Sequence, residues 1–270
     1  MQHYQTIRGV QVPALGFGTW PLKGDECREA VRDALAAGYR HVDTARMYGN
    51  EEDVGRGIQE GGVPREQIFL TTKLWYTELT GAKVTDSLHS SLRRLQTEYV
   101  NLLLVHWPNP EVPLGETLEA MTALQQGGKV RQVGVSNFPP ALLQEALGYA
   151  PVFCNQVEYH PLLAQTALLE VCRANDVLLT AYSPIAHGAV MEEPVLQELG
   201  RKYGKSPVQV TLRWLVQQPH VAAIPKAGSP DRRRQNLDIF DFQLTPAEME
   251  QVFGLARGKR LINPHHAPAW

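Results

Sequence analysis

The chain has 270 residues, of which 43 % are hydrophobic and 20 % charged, the composition of a globular protein with ample core. Its 26 basic and 28 acidic side chains nearly cancel, and no basic tract for nucleic acid or acidic solvating tail interrupts the pattern. The three cysteines, Cys27, Cys154 and Cys172, show no CxxC or Cys/His ligand spacing and read as small buried residues of a reducing compartment.

The chain opens without a positive region followed by an apolar run, so no secretory signal is read. No apolar segment approaches the ~20 residues of a membrane helix, and a cytoplasmic protein away from membranes is expected. Residues 4–13 read as a small hairpin turning at Gly9, and 15–19 as a first buried strand emptying into Trp20. A helix over 25–37 buries Ala30, Val31, Ala34 and Leu35 at helical spacing. A strand over 41–45 follows Gly38. The next helix, 51–59, opens near Asn50, an N-cap residue with Asp53 at the capping-box position and Glu51 and Glu52 suited to the positive helix end.

The alternation then continues. A strand over 68–73 precedes a helix striped by Leu88, Leu92 and Leu95, and one over 101–106 precedes a helix facing inward through Leu118, Met121 and Leu124. Strands over 130–136 and 153–159 are followed by helices over 140–147 and 165–174. After a strand over 178–183 come two helices, 193–203 and 206–217, the second capped by Ser206 with Pro207 at its first position. A strand over 221–225, a helix over 231–238 and a final helix over 245–255, with Glu248 at the box position, lead into a Pro- and His-containing tail that reads as flexible.

Eight strand–helix units with near-continuous apolar strands match a closed (β/α)8 barrel of ~250 residues. The expected architecture is an α/β TIM barrel with an N-terminal β-hairpin and two extra helices, one domain over 1–270. A doubly wound open sheet would want GxGxxG after an early strand. Gly16 and Gly18 supply GxG, but position 21 is Pro.

Three consecutive strands each finish on a titratable residue: Asp43, Lys73 and His106, with Tyr48 in the loop after the first. The carboxyl ends of barrel strands are where ligands and chemistry gather. Taken singly, Tyr48 reads equally as a loop anchor, Lys73 as a surface charge and His106 as a structural histidine. Four such residues at one rim make that reading a chain of coincidences.

These residues carry a resemblance to the aldo-keto reductase family. It rests on the stretch from Gly38 to Gly55, GYRHVDTARMYGNEEDVG, then on Thr72-Lys73, His106-Trp107-Pro108, Gly134 to Phe138 and Ile224-Pro225-Lys226, in order across essentially the whole chain. Within that family the chain is most similar to bacterial 2,5-diketo-D-gluconate reductases, through His106-Trp107-Pro108 and the ending from Arg260 to Trp270. The family carries such a hairpin as a lid on the amino-terminal end of its barrel.

Carbonyl reduction by a nicotinamide needs a proton donor at the oxygen whose pKa is not far from working pH. An unperturbed tyrosine lies near ~10, and a lysine ammonium against the phenol lowers it. On this chemistry, and on the family's pattern, Tyr48 is the general acid, Lys73 lowers its pKa, Asp43 holds Lys73, and His106 orients and polarises the carbonyl. His106 as the acid stays open for some substrates.

The resemblance further implies a nicotinamide resting on Tyr182, with its carboxamide bonded by Ser136, Asn137 and Gln156. Gly18, Thr19, Trp20 and Ser183 are further cofactor-contact candidates at strand ends. The segment from Ile224 to Asn236 resembles the family's phosphate and adenine site. Lys226 and Arg232 would grip a 2′-phosphate, with Ser229, Gln235 and Asn236 beside them, favouring NADPH (or NADP), while NADH use would be weaker. Pro230 and Asp231 open a helix whose N-terminus adds to anion binding, and Arg233 and Arg234 read as its exposed basic face. Two positions depart from the family: Ala227 where Ser is common, and Gln235 where an acidic residue is usual.

Trp20, Trp75 and Trp107 follow three strands and are expected to wall a substrate pocket. A short loop after 183 and a modest tail suggest a shallow, open site for small aldehydes, dicarbonyls, keto esters or keto sugar acids. His187, Arg257 and Arg260 are candidate carboxylate binders, with surface solvation the plainer reading. The expected partner is a small-molecule carbonyl substrate, with the chain a monomer. No metal is expected, because the one histidine-rich run, His265-His266, lies in the tail. No GxSxG elbow supports a hydrolase. The alternatives are a non-catalytic NADPH-binding regulatory subunit on the same fold and a barrel aldolase using Lys73 as a Schiff base.

Overall fold

A computed structural model describes residues 3–270. An antiparallel hairpin, β1 (Tyr4–Ile7) and β2 (Val10–Pro13), comes first. Eight parallel strands follow: β3 (Phe17–Gly18), β4 (His41–Asp43), β5 (Phe69–Leu74), β6 (Val100–Val105), β7 (Val130–Ser136), β8 (Cys154–Glu158), β9 (Leu178–Tyr182) and β10 (Val221–Ala223). Each pairs with the next in chain order, and Leu15 bridges to Ala223 to join the two ends. The Gly16 N–H donates to the Ala223 carbonyl at 2.8 Å across that seam. The result is a closed (β/α)8 barrel without an exposed edge.

The helices are α1 (Gly24–Ala37), α2 (Glu51–Glu60), α3 (Gly81–Leu95), α4 (Leu114–Gln126), α5 (Pro140–Tyr149), α6 (Thr166–Ala174), α7 (Pro194–Tyr203), α8 (Pro207–Gln217), α9 (Pro230–Leu237) and α10 (Pro246–Phe253). Helices α7 and α10 are the two extra ones. None of the described helices is long and apolar enough to cross a membrane. Strand ends fall one or two residues inside several expected limits, where pairing gives way to the rim loops.

Strand parity explains where the core sits and where the chemistry sits. Phe69, Leu102, Leu104, Cys154, Leu178 and Ala222 form one buried cluster with Ile7 and Val12 of the hairpin, which plugs the amino-terminal mouth. The alternate residues Leu70, Leu103, Val105, Leu179 and Val221 join the larger cluster with the helices. Successive strand residues face opposite sides. Thr71 and Lys73 therefore share the inward face with Phe69, and His106 shares it with Leu102 and Leu104. The inward positions are apolar at the bottom and polar at the top.

Two helix starts behave as their sequences suggest. Ser206 with Gln209 and Thr245 with Glu248 both form reciprocal capping boxes. The expected box at Asn50 and Asp53 does not form, although α2 does begin at Glu51. Asn50 instead accepts the Thr44 hydroxyl at 2.8 Å, and Asp53 accepts the Gly24 N–H at 2.7 Å. Tertiary donors outbid the helix's own amides. Cys27, Cys154 and Cys172 are all buried thiols.

Gly55 sets the closeness of α2 and α3. A Cβ there would sit 2.6 Å from the Leu95 carbonyl oxygen and 2.7 Å from its carbon, both backbone atoms that cannot swing aside. Gly55→Ala would gain about 1 kcal/mol of helix propensity, but prising two helices apart costs about 1–3 kcal/mol. The expected outcome is a lower denaturant midpoint with an unchanged slope, measured by equilibrium urea unfolding.

Candidate active site

The top inward layer brings four expected residues together. Lys73, at the end of β5, is 1 % exposed, and Asp43, at the end of β4, is equally buried. The Lys73 ammonium donates to Asp43 Oδ1 at 2.5 Å, to the Thr44 carbonyl at 2.8 Å and to the Tyr48 hydroxyl at 3.3 Å. All three of its N–H bonds are thereby used. Tyr48 ends a single 3-10 turn, Arg46–Tyr48, between β4 and α2. Its ring lies edge-on to His106 with centroids 5.6 Å apart, and Trp20 covers its other side at 5.1 Å.

The electrostatics follow from this burial. Burial opposes the Lys73 charge, but Asp43 and then Tyr48 outweigh it, and the pKa is raised. Burial pushes the Tyr48 pKa up, Lys73 pulls it back and Asp43 pushes up again, leaving it above the ordinary value. Burial is the larger effect on the phenol, and Lys73 acts against it in the expected, lowering direction. Burial, then Lys73, then His266 hold the His106 pKa well below the usual histidine value, so its imidazole is neutral at pH 7. His106 Nδ1 is buried with no hydrogen-bond partner.

On the far side of the rim, Gln156 donates to Asp43 Oδ2 at 2.7 Å. Ser136 donates to the Gln156 carbonyl at 2.7 Å. Asn137 donates to the His106 carbonyl at 2.9 Å and accepts from the Tyr182 hydroxyl at 2.7 Å. The four residues expected around a nicotinamide, three of them at its carboxamide, thus already form one network reaching back to Asp43. Ser183 lies beside them with its hydroxyl 3.4 Å from His187 Nε2.

Toward α9, Ser229 caps the helix by accepting the Arg232 N–H at 3.4 Å. Lys226, Ser229, Arg232 and Gln235 are exposed, whereas Asn236 is buried. Arg233 is not part of an exposed basic face: it is 3 % exposed, paired with Asp33 at 2.6 Å and hydrogen-bonded to the Ala227 and Gly228 carbonyls. Arg234 is exposed and paired with Asp231. Among the described residues Lys226 and Arg232 make no ion pair, so two cations remain free beside the helix N-terminus. Thr19, at the end of the first barrel strand, has a buried hydroxyl with no partner. A Cβ on Gly18 would meet the Ile224 carbonyl oxygen at 2.7 Å. Free cations, an orphaned hydroxyl and polar strand ends fit a phosphate-bearing dinucleotide.

The tail packs over the mouth. Glu158, the last residue of β8, accepts the Leu261 and Ile262 N–H groups at 2.8 and 2.9 Å and lies 3.0 Å from His160 Nε2. Burial pushes the Glu158 carboxyl up, but His160 and the two backbone donors outweigh it and lower its pKa. Beyond this clip, His266 stacks on Tyr76 at 4.5 Å and stands edge-on to Trp75 at 5.5 Å and Trp107 at 5.3 Å. Both His266 ring nitrogens are buried without partners. The mouth is therefore roofed by the tail, because one buried carboxylate captures two backbone amides. Trp75 is itself 5.3 Å from His106, while Trp20 is 49 % exposed at the outer edge. Arg257 pairs with Glu193 at 2.6 Å, and Arg260 lies 3.9 Å above the Trp270 ring.

Sequence reasoning missed Glu158 and His266. Glu158 stands two residues after Gln156, so strand parity already puts it on the same inward face. Nothing local marks His266. Among the described residues no group of three or more His, Cys, Asp or Glu side chains is arranged to hold a metal ion.

Comparison with known proteins bears on the family and the fold. The model of a family described as the aldo/keto reductase family matches residues 14–257. The chain is 39 % identical over 256 residues to a glyoxal reductase of Bacillus subtilis, covering 94 % of this chain and 92 % of that protein. It superposes on the crystal structure of a putative 2,5-diketo-D-gluconic acid reductase B with a TM-score of 0.97 at 44 % identity, covering 100 % and 98 % of the two chains. The Bombyx mori aldo-keto reductase, solved in complex with NADP, superposes with a TM-score of 0.91 at 33 % identity, covering 97 % and 95 %.

Burial also lowers the His41 pKa, so two imidazoles in the barrel refuse a proton. Unfolded histidines take one up near pH ~6.5, so below that pH the unfolded state binds more protons and stability falls as pH falls. The slope is up to about 1.4 kcal/mol per pH unit for each such histidine. Urea midpoints measured between pH 7 and pH 5 should drop, and His106→Asn should flatten the dependence.

Proposed function

The chain belongs to the aldo/keto reductase family and is an oxidoreductase of that family, and from that premise we propose that it reduces small aldehydes and ketones with NADPH, Tyr48 serving as general acid. The observation that carries this reading is the Tyr48 hydroxyl 3.3 Å from a buried ammonium, at the barrel mouth and beside a neutral imidazole.

A bound reduced nicotinamide would supply the hydride to the carbonyl carbon. The residues proposed to hold it are Gly18, Thr19, Trp20, Ser136, Asn137, Gln156, Tyr182 and Ser183, with Lys226, Ser229, Arg232, Gln235 and Asn236 toward the 2′-phosphate and adenine. Tyr48 keeps its proton at neutral pH and is a donor when charge grows on the carbonyl oxygen. Lys73 then stabilises the phenolate left behind, and Asp43 keeps Lys73 charged and in place. His106, neutral, offers a hydrogen bond to the same oxygen without competing for the proton. This favours Tyr48 over His106 as the acid.

A raised Lys73 pKa also speaks against the Schiff-base aldolase, since an ammonium is no nucleophile. The intact Asp43, Tyr48, Lys73 and His106 set speaks against a non-catalytic regulatory subunit. His266 packed against Trp75 and Trp107, with Trp20 at the outer edge, supports small carbonyls such as dicarbonyls, keto esters or keto sugar acids as the substrates. We propose one barrel domain over residues 1–270 as the acting unit.

A panel of small carbonyls including methylglyoxal and 2,5-diketogluconate, followed by NADPH absorbance, tests the reaction. Tyr48→Phe should abolish most turnover while NADPH fluorescence quenching stays near wild type, and full activity in that variant would refute the role of Tyr48. Lys226→Ala should weaken NADPH binding by about tenfold or more and NADH hardly at all, the loss expected for one charge-assisted phosphate contact. Equal losses for both cofactors would remove the 2′-phosphate assignment.

A further inference from the structure

Strand β5 has two faces, and only the inward one enters the chemistry above. On the outward face, Thr72 donates its hydroxyl to Glu51 Oε1 at 2.6 Å. The other carboxylate oxygen accepts from Arg94 Nε at 2.9 Å and Nη2 at 2.6 Å. Arg94 lies in the last turn of α3, with Nη1 bonded to the Ser90 hydroxyl at 2.6 Å. The Glu51 side chain is 0 % exposed and that of Arg94 34 %, so the carboxylate depends on a cation that reaches it from the surface.

The neighbouring residue makes a second tie. Asn50 accepts the Thr44 hydroxyl at 2.8 Å and donates to the Leu22 carbonyl at 2.9 Å. Thr44 follows Asp43, and its carbonyl accepts from Lys73. Thr72 precedes Lys73. Asn50 and Glu51 follow Tyr48 across Gly49, which adopts a left-handed backbone at φ 66°. Asp43 and Lys73 therefore each have a chain neighbour tied to Asn50 or Glu51, where α2 begins, and Tyr48 precedes the same two residues in the chain.

We propose that Glu51 and Arg94 are positioning residues for the Tyr48–Lys73 pair. Arg94 holds the Glu51 carboxylate, the carboxylate holds Thr72, and the start of α2 is thereby locked to the strand that carries Lys73. Neither residue acts on the substrate. The Tyr48–Lys73 hydrogen bond is already at the long end for such a contact, so a shift of ~1 Å in the turn would break it. Misplacements of that size cost about a hundredfold in rate. Surface ion pairs seldom matter much, but this one ends on a wholly buried carboxylate. The inference rests on the reductase reading.

The test uses Arg94→Met, which keeps the stem and removes the cation, assayed well below its melting midpoint with a carbonyl that the wild type reduces. We expect kcat to fall about ten- to hundredfold, with carbonyl KM and NADPH dissociation constant within about twofold of wild type. The solvent deuterium isotope effect on kcat should rise, because proton donation becomes slower relative to the other steps. Arg94→Lys, which returns the charge, should restore part of the rate. Thr72→Val should show the same signature, and the double variant should lose no more than the worse single one, since both act through Glu51. A merely structural role would lower the melting midpoint and leave the isotope effect unchanged. That result, or wild-type kcat in folded Arg94→Met, overturns the proposal. Should Arg94→Met fail to fold, Thr72→Val, which deletes one hydrogen bond and no charge, decides by the same readouts. Absence of carbonyl-dependent NADPH loss in the wild type would sink the reductase reading itself, a failure distinct from that of the positioning role.

Discussion

A lysine ammonium sealed inside the barrel is the constraint around which the rim is arranged. An unpaired charge so deeply buried is prohibitively costly, and the Lys73 charge is tolerated because Asp43, the Thr44 carbonyl and the Tyr48 hydroxyl take all three of its hydrogens. Asp43 in turn needs its second oxygen satisfied, and Gln156 supplies that from across the barrel. One buried cation thus ties β4, β5, β8 and the turn after β4 into a single unit. Burial first, and the same cation second, hold the His106 imidazole neutral.

Around this satisfied centre lie several groups that are not satisfied. The Thr19 hydroxyl, His106 Nδ1 and both His266 nitrogens are buried without partners, and Lys226 and Arg232 carry unpaired charge. Buried polar groups left unpaired cost free energy, so their concentration at one mouth is informative. Orphanhood alone is no marker, since Trp214 Nε1 and Thr211 on α8 are orphans too. What separates the two sets is place: Thr19 and His106 stand at strand ends and His266 packs against Trp75 and Trp107 beside them, whereas Trp214 and Thr211 lie within a helix.

Most of the fold was legible because a period of two and a period of 3.6 were visible in turn along the chain. The extents of β7 and the capping of α8 and α10 came through well, because strand pattern and reciprocal caps are local. The rim residues were legible for a related reason. Once a strand is registered, its last inward side chain follows by parity, and Asp43, Lys73 and His106 are such residues. Glu158 obeys the same parity two residues after Gln156, and its role in holding the tail went unread because its partners are backbone amides a hundred residues later.

By itself, then, the sequence determined the order of strands and helices, the closed barrel and the identity of the polar groups at its upper rim. Only the tertiary structure decided which partner each charge takes. Asp53 serves Gly24 rather than its own helix, Arg233 turns inward to Asp33, Glu51 joins Thr72 to Arg94, and His266 roofs the mouth instead of trailing in solvent. In each case several donors or acceptors compete for one side chain. Packing, which sets their distances, brings together residues that lie far apart along the chain.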